Sequence, residues 1–194
     1  MPARYRPSLR WLLVFGLVPF VLASLGVTCT IGESDSDEPK TFDRHDVSFT
    51  YPGNWKRFSD VKAATGADPA PNRLWADGVG PTDETGVFVS AYRITTDVTP
   101  EYFEREKADL VPSFEQALTE SGAEVLERGR AVSYAGYPGI ELRLRPKAPE
   151  GVTTRAVFLF AGTTRFDFGC QSKENDRSEV EAGCDQVLDS FKPE

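Results

Sequence analysis

The chain has 194 residues, 22 of them lysine or arginine and 30 aspartate or glutamate, with a net charge of −8 and a single histidine. That balance excludes nucleic acid as a partner, because a phosphate backbone calls for a basic surface. It also argues against flat docking on anionic lipid.

The first segment speaks to location. Arg4, Arg6 and Arg10 lead, without an acid, into an uncharged run that ends at Thr28. A basic lead before an apolar run is the pattern of an export signal or signal anchor. The basic side stays cytoplasmic, which places the rest of the chain on the outer side of the membrane. Residues 1–29 are therefore read as signal peptide or membrane anchor. Three fates fit the run: cleavage and release, retention as one span, or cleavage before Cys29 with lipid on its thiol. The string LGVTC resembles a bacterial lipoprotein site, with Val27 and Thr28 bulkier than the usual small pair.

Residues 30–41 come next as an acidic, proline-containing spacer, too polar to offset the entropy of ordering by burial. Its acids lack the alternation and central glycine of a calcium loop. Residues 42–194 then suit one domain with one core. Removing the leader arginines leaves 19 basic against 30 acidic residues, a charge of −11.

Within the domain, Phe42, Val47 and Phe49 predict a first strand or short hairpin. Tyr51-Pro52-Gly53-Asn54-Trp55 predicts a turn, with Trp55 folding back onto a core edge. Ser59 to Asn72 reads as a loop. Leu74 and Trp75 begin a short strand, and Asp77 to Gly86 reads as a turn-rich connection. Val87 to Ile94 is a strand. Thr99 and Pro100 open a helix by cap and first-position preference, Pro112 is expected to kink or split it, and Ser121-Gly122 ends it.

Four strands are expected next: one within Glu124 to Tyr134, then Tyr137 to Arg145, then Thr153 to Ala161, then one carrying Phe166, Phe168 and Cys170 after a turn at Gly162-Thr163. In the second, Ile140, Leu142 and Leu144 alternate with Glu141, Arg143 and Arg145, giving an inward and an outward face. Ser178 to Phe191 predicts a closing helix with Val180, Cys184, Val187, Leu188 and Phe191 inward, and with Ser178 and Glu181 as a capping box. Short connections favour antiparallel pairing. The expected class is α+β: a mostly antiparallel sheet flanked by helices.

The cysteines divide by position. Cys29 lies at the membrane end, while Cys170 and Cys184 fall in an oxidising compartment and are expected to pair. One histidine and two distant cysteines are a poor basis for zinc.

The order of elements resembles the PsbP-like and Mog1-like α/β/α sandwich, including actinobacterial-type lipoproteins of that kind. The residues that carry the likeness are the aromatic strand before YPGNW, the YAGYPGIELRLR pair, the TTRAVFLFAGTTRFDFGC segment and the terminal CDQVLDSF. The resemblance implies a non-enzymatic accessory or binding protein. One branch of that family assists photosystem II on the lumenal side, and another engages a small nuclear GTPase.

The residues themselves offer no catalytic constellation. No serine sits in a GxSxG elbow, His45 reads as a surface residue, and GVGPTDETG lacks the lysine of a phosphate loop. No catalytic residue, cofactor or metal is expected. The candidate binding surface consists of Trp55 and Trp75, lining a cleft, and of Arg143, Arg145 and Arg155 on the outward sheet face, where ordinary helix contacts are the alternative. The functional reading is a membrane-tethered extracytoplasmic accessory module that joins an envelope protein complex. A binder of a small apolar or glycan ligand in an aromatic-lined cleft, or an enzyme of unknown class, are the alternatives.

Overall fold

A computed structural model describes residues 38–59, 71–147 and 149–193, all within the compact unit Asp35–Glu194. The leader, Cys29, most of the spacer and residues 60–70 of the expected loop lie outside the described residues.

The first hairpin forms as expected. Strands β1 (Lys40–Arg44) and β2 (Val47–Tyr51) pair antiparallel around His45 and Asp46, both at positive φ. Two such residues make the tight loop whose twist suits a hairpin. Phe42 stacks on Phe49 with ring centroids 4.5 Å apart. Trp55 closes the next turn by donating its backbone N–H to Pro52 O, at 3.0 Å.

Strands β3 (Lys56–Ser59), β4 (Arg73–Gly80) and β5 (Gly86–Val98) come next. β4 runs further than the sequence suggests. Asp77, Gly78 and Val79 are ladder residues opposite Val89, Phe88 and Val87, so the turn shrinks to residues 81–85.

Helix α1 (Pro100–Glu120) starts where Thr99 Oγ1 accepts from the Tyr102 N–H at 3.2 Å. Pro112 does not split or end it, and the helix runs on to Glu120. Pro112 and Ala108 both lie on the exposed side, so water can solvate the carbonyl that loses its partner.

Strands β6 (Glu124–Tyr134) and β7 (Tyr137–Arg145) form the second hairpin, around Ala135 and Gly136 at positive φ. The two strands expected next are one unbroken extended run, β8 (Thr153–Ser172). Residues 154–159 pair with β7, and residues 162–171 with β5. A straight strand would hold Thr154 about 40 Å from Asp167 at ~3.3 Å per residue. Yet both line one cavity, and the Arg165 guanidinium lies 5.7 Å from the Phe158 ring. The run therefore doubles back, at Gly162 (φ +63). The bend also swaps parity, so that Val157 and Leu159 share a core with Phe166, Phe168 and Cys170.

Helix α2 (Arg177–Ser190) and the short β9 (Lys192–Pro193) complete the domain. Val180, Cys184, Val187, Leu188 and Phe191 are buried as a stripe, and Cys184 is bonded to Cys170. The expected capping box does not form. Asp176 is the cap residue, Ser178 lies inside the first turn, and Glu181 bonds arginines of the sheet instead.

Among the described residues all strand pairings are antiparallel, in a sheet of order β3-β4-β5-β8-β7-β6 and a smaller one of order β1-β2-β9. One face of the large sheet packs on α2 and the small sheet, and the other on α1. This is the α/β/α sandwich expected.

Candidate functional site

Three groupings of polar and aromatic side chains stand out. The first is a charge network beneath α2. Arg155, on the first arm of β8, is 8% exposed. Its Nη2 donates to Tyr134 Oη at 2.6 Å and to Glu141 Oε2 at 3.1 Å. Its Nη1 donates to Asp185 Oδ1 at 2.7 Å and Glu181 Oε2 at 3.4 Å. Arg143 bonds Glu181 and lies 3.2 Å from Glu127. Burial pushes the Glu141 carboxyl up, but hydrogen bonds from Tyr134, Arg130 and Arg155 overcome it and hold it below the usual range. Burial alone would lower Arg155, and bonds to Asp185 and Glu141 outweigh that and raise it. The network staples α2 to the sheet.

The second grouping sits where β4 passes the first hairpin. The His45 ring stacks on Trp75 with centroids 4.8 Å apart and planes 15° apart. His45 Nε2 lies 3.2 Å from Asp77 Oδ2. These rings line an open cleft of about 210 Å³ with Leu74, Arg93, Thr164 and Phe166. Leu74 is 49% exposed, the most of the exposed large apolar side chains among the described residues. Asn72 fixes the strand behind it, donating from Nδ2 to Arg93 O at 2.8 Å.

The third lies on the opposite face of the large sheet. Asp167 on β8 faces Ser90 on β5 across the ladder. Arg165 grips its carboxylate with two bonds, Nε to Oδ1 at 2.6 Å and Nη2 to Oδ2 at 2.9 Å. The same guanidinium lies 4.8 Å from the Tyr92 ring centroid and 5.5 Å from that of Phe114. Burial pushes the Asp167 carboxyl up to about 6, against the pull of Arg165.

No family model matches the chain, and no curated protein does. Among solved structures, the solution structure of cyanobacterial PsbP (CyanoP) from Synechocystis sp. PCC 6803 superposes with a TM-score of 0.55 at 17% identity. The match covers 88% of this chain and 99% of that one. The fold is PsbP-like. A crystal structure from Bacteroides thetaiotaomicron VPI-5482 gives a TM-score of 0.49 at 12% identity, covering 80% of this chain and 48% of that one, too loose to bear on the fold.

Within the PsbP-like sandwich the residues expected to form a binding surface separate. Trp55 is 1% exposed and belongs to the core, its Nε1 donating to Glu179 Oε1 at 3.0 Å. It shares no cleft with Trp75. Arg143 and Arg155 come together, as helix contacts, and Glu141 beside them is buried although the alternation places it outward. Arg145, bonded to Glu124, lines an open cleft of about 720 Å³ together with Arg143, Arg177 and Glu181. Trp75 lines a separate open cleft, and its partner His45 reads in sequence as an ordinary surface histidine. The two are thirty residues apart in sequence, and only the packing of the hairpin against β4 joins them. The pairing of Cys170 with Cys184 is as expected.

Proposed function

We propose that this chain is a non-catalytic accessory module, tethered on the outer side of the cell membrane by its N-terminal segment, that joins an envelope protein complex through the Leu74–Trp75 cleft. The observation that carries the reading is Trp75, stacked on His45 in an open cleft. With Leu74 nearly half exposed at its side, it offers an aromatic anchor of the type enriched at interface centres. Arg93 at the rim adds a charged group of the kind enriched at such sites. The end-to-end likeness to CyanoP supports the accessory role, and the basic-then-apolar leader supports the tether.

The test is capture of the tagged protein from its own envelope beside Leu74→Glu, which alters only an exposed side chain. A stoichiometric partner retained by the wild type and lost by Leu74→Glu is the expected result. Equal capture by both would remove the cleft from the reading. Intact mass from the same preparation reports the leader: lipid on Cys29 that disappears in Cys29→Ser identifies a lipoprotein, and an unshortened chain identifies a retained span.

A second reading, a binder of a small apolar ligand, is favoured by one observation on the other face of the sheet: the buried hydroxyl of Thr154.

A further inference from the structure

α1 lies chiefly over β6 and β7. At its C-terminal end it leaves a cavity of about 60 Å³ against the sheet, walled by Phe88, Leu118, Leu144 and Phe158 over the small Ala156 and Gly169. Thr154 lines this cavity and is 4% exposed. Its Oγ1 has no hydrogen-bond partner among the described residues. A buried hydroxyl is rarely left so, because desolvation without a partner is unfavourable. Ser90 and Asp167 line the same space. The Asp167 carboxylate retains accepting lone pairs beyond its two bonds from Arg165, which also balances its charge.

We infer that this cavity receives the hydroxyl-bearing end of an uncharged apolar ligand, with Thr154 as its hydrogen-bond partner. The inference deepens the small-ligand reading and rests on it. Three features select the ligand. The walls are aliphatic and aromatic, which favours an apolar body. The ion pair beside Ser90 is internally neutral, so neither a cation nor an anion gains by entering. The cavity is small, about 60 Å³, which suits a hydroxyl and its adjoining carbons. The remainder of the ligand leaves through the mouth, where Ser121 and Lys147 stand.

The probe is 1-hexanol, read by hydrogen exchange and mass spectrometry on the full, processed chain. At twice the dissociation constant, bound alcohol slows exchange at the cavity about threefold, in peptides spanning Phe88–Tyr92 and Thr154–Phe158. Thr154→Val keeps the shape, removes the hydroxyl and is expected to abolish the protection while the chain stays folded. Hexanoate at equal concentration is expected to protect less. Protection that persists in Thr154→Val but vanishes when Ala156→Leu fills the cavity would overturn the hydroxyl assignment and leave the small-ligand reading standing. Equal protection by hexanoate would overturn the neutral-ligand assignment in the same way. No protection of the wild type by either probe would overturn both.

Discussion

The six-membered ring of Trp55 lies directly against the bare Cα of Gly183, so closely that an added Cβ would overlap three of its ring carbons. The glycine is what lets α2 approach the turn after β2, and Glu179, one helical turn earlier, holds the indole N–H. Gly183→Ala is expected to destabilise the domain by about 3 kcal/mol through overpacking. Urea unfolding measures it. Trp55→Leu in the Gly183→Ala background should recover part of the loss, and no recovery would place the strain elsewhere.

Arg155→Ala removes the buried cation beside Glu141 and leaves the exposed Arg130 bonded to it. Breaking a buried pair from one side costs about 3–5 kcal/mol, and with Arg130 retained a loss of about 3 kcal/mol is expected at pH 7. The pH dependence has a definite sign. The folded Glu141 is held low, so its contribution is present above its unfolded pKa and fades as pH falls through the folded one. The gap between Arg155→Ala and the wild type should therefore narrow in acid. A constant gap would show that the lost packing of the arginine stem, not charge, sets the effect.

The Cys170–Cys184 bond closes a short loop between β8 and α2. Its removal by the double change to alanine should cost about 3 kcal/mol on the chain-entropy estimate. In the unreduced protein, both thiols should resist alkylation. Ready labelling of both without reductant would refute the pairing.

Asp167 makes the opposite acid–base contribution to Glu141. Its folded pKa, about 6, stands above an ordinary value of 3.8. Its contribution is therefore greatest below the ordinary value and is lost as pH rises through about 6. Between pH 7 and pH 4 the wild type should gain up to about 3 kcal/mol relative to Asp167→Asn. Chemical denaturation of both proteins across that range tests it, and parallel profiles would show that the carboxyl titrates normally.

Much of the scaffold is legible in the sequence because its signals are local. The alternation of Tyr137–Arg145, the turn residues before Trp55 and the apolar stripe of α2 each announce an element within ten or so residues. Alternation shows that two faces exist but not that both are covered, which is why Glu141 reads as exposed. Pro112 reads as a break because sequence does not show that Ala108 faces water. The sites are less legible for a different reason. His45 meets Trp75 only through the packing of the first hairpin on β4, and Thr154 and Asp167 reach one cavity only through the reversal at Gly162. Trp55 and Trp75 look alike in sequence, and only a glycine far along the chain separates a core plug from a cleft wall.

The small sheet sets an order of assembly. β2 lies between β1, the earliest described strand, and β9, the last, and both β2 and Phe42 rest on a core completed by α2. The ribosome delivers β1 and β2 more than a hundred residues before these partners emerge. Until then Phe42, Val47 and Phe49 have no lasting cover, and the contacts that bury them are among the most sequence-distant in the domain. Such non-local closure is slow. The nascent chain therefore carries an exposed apolar hairpin for most of its synthesis, and a chaperone that shields short aromatic segments would speed its maturation more than one that acts on the finished domain.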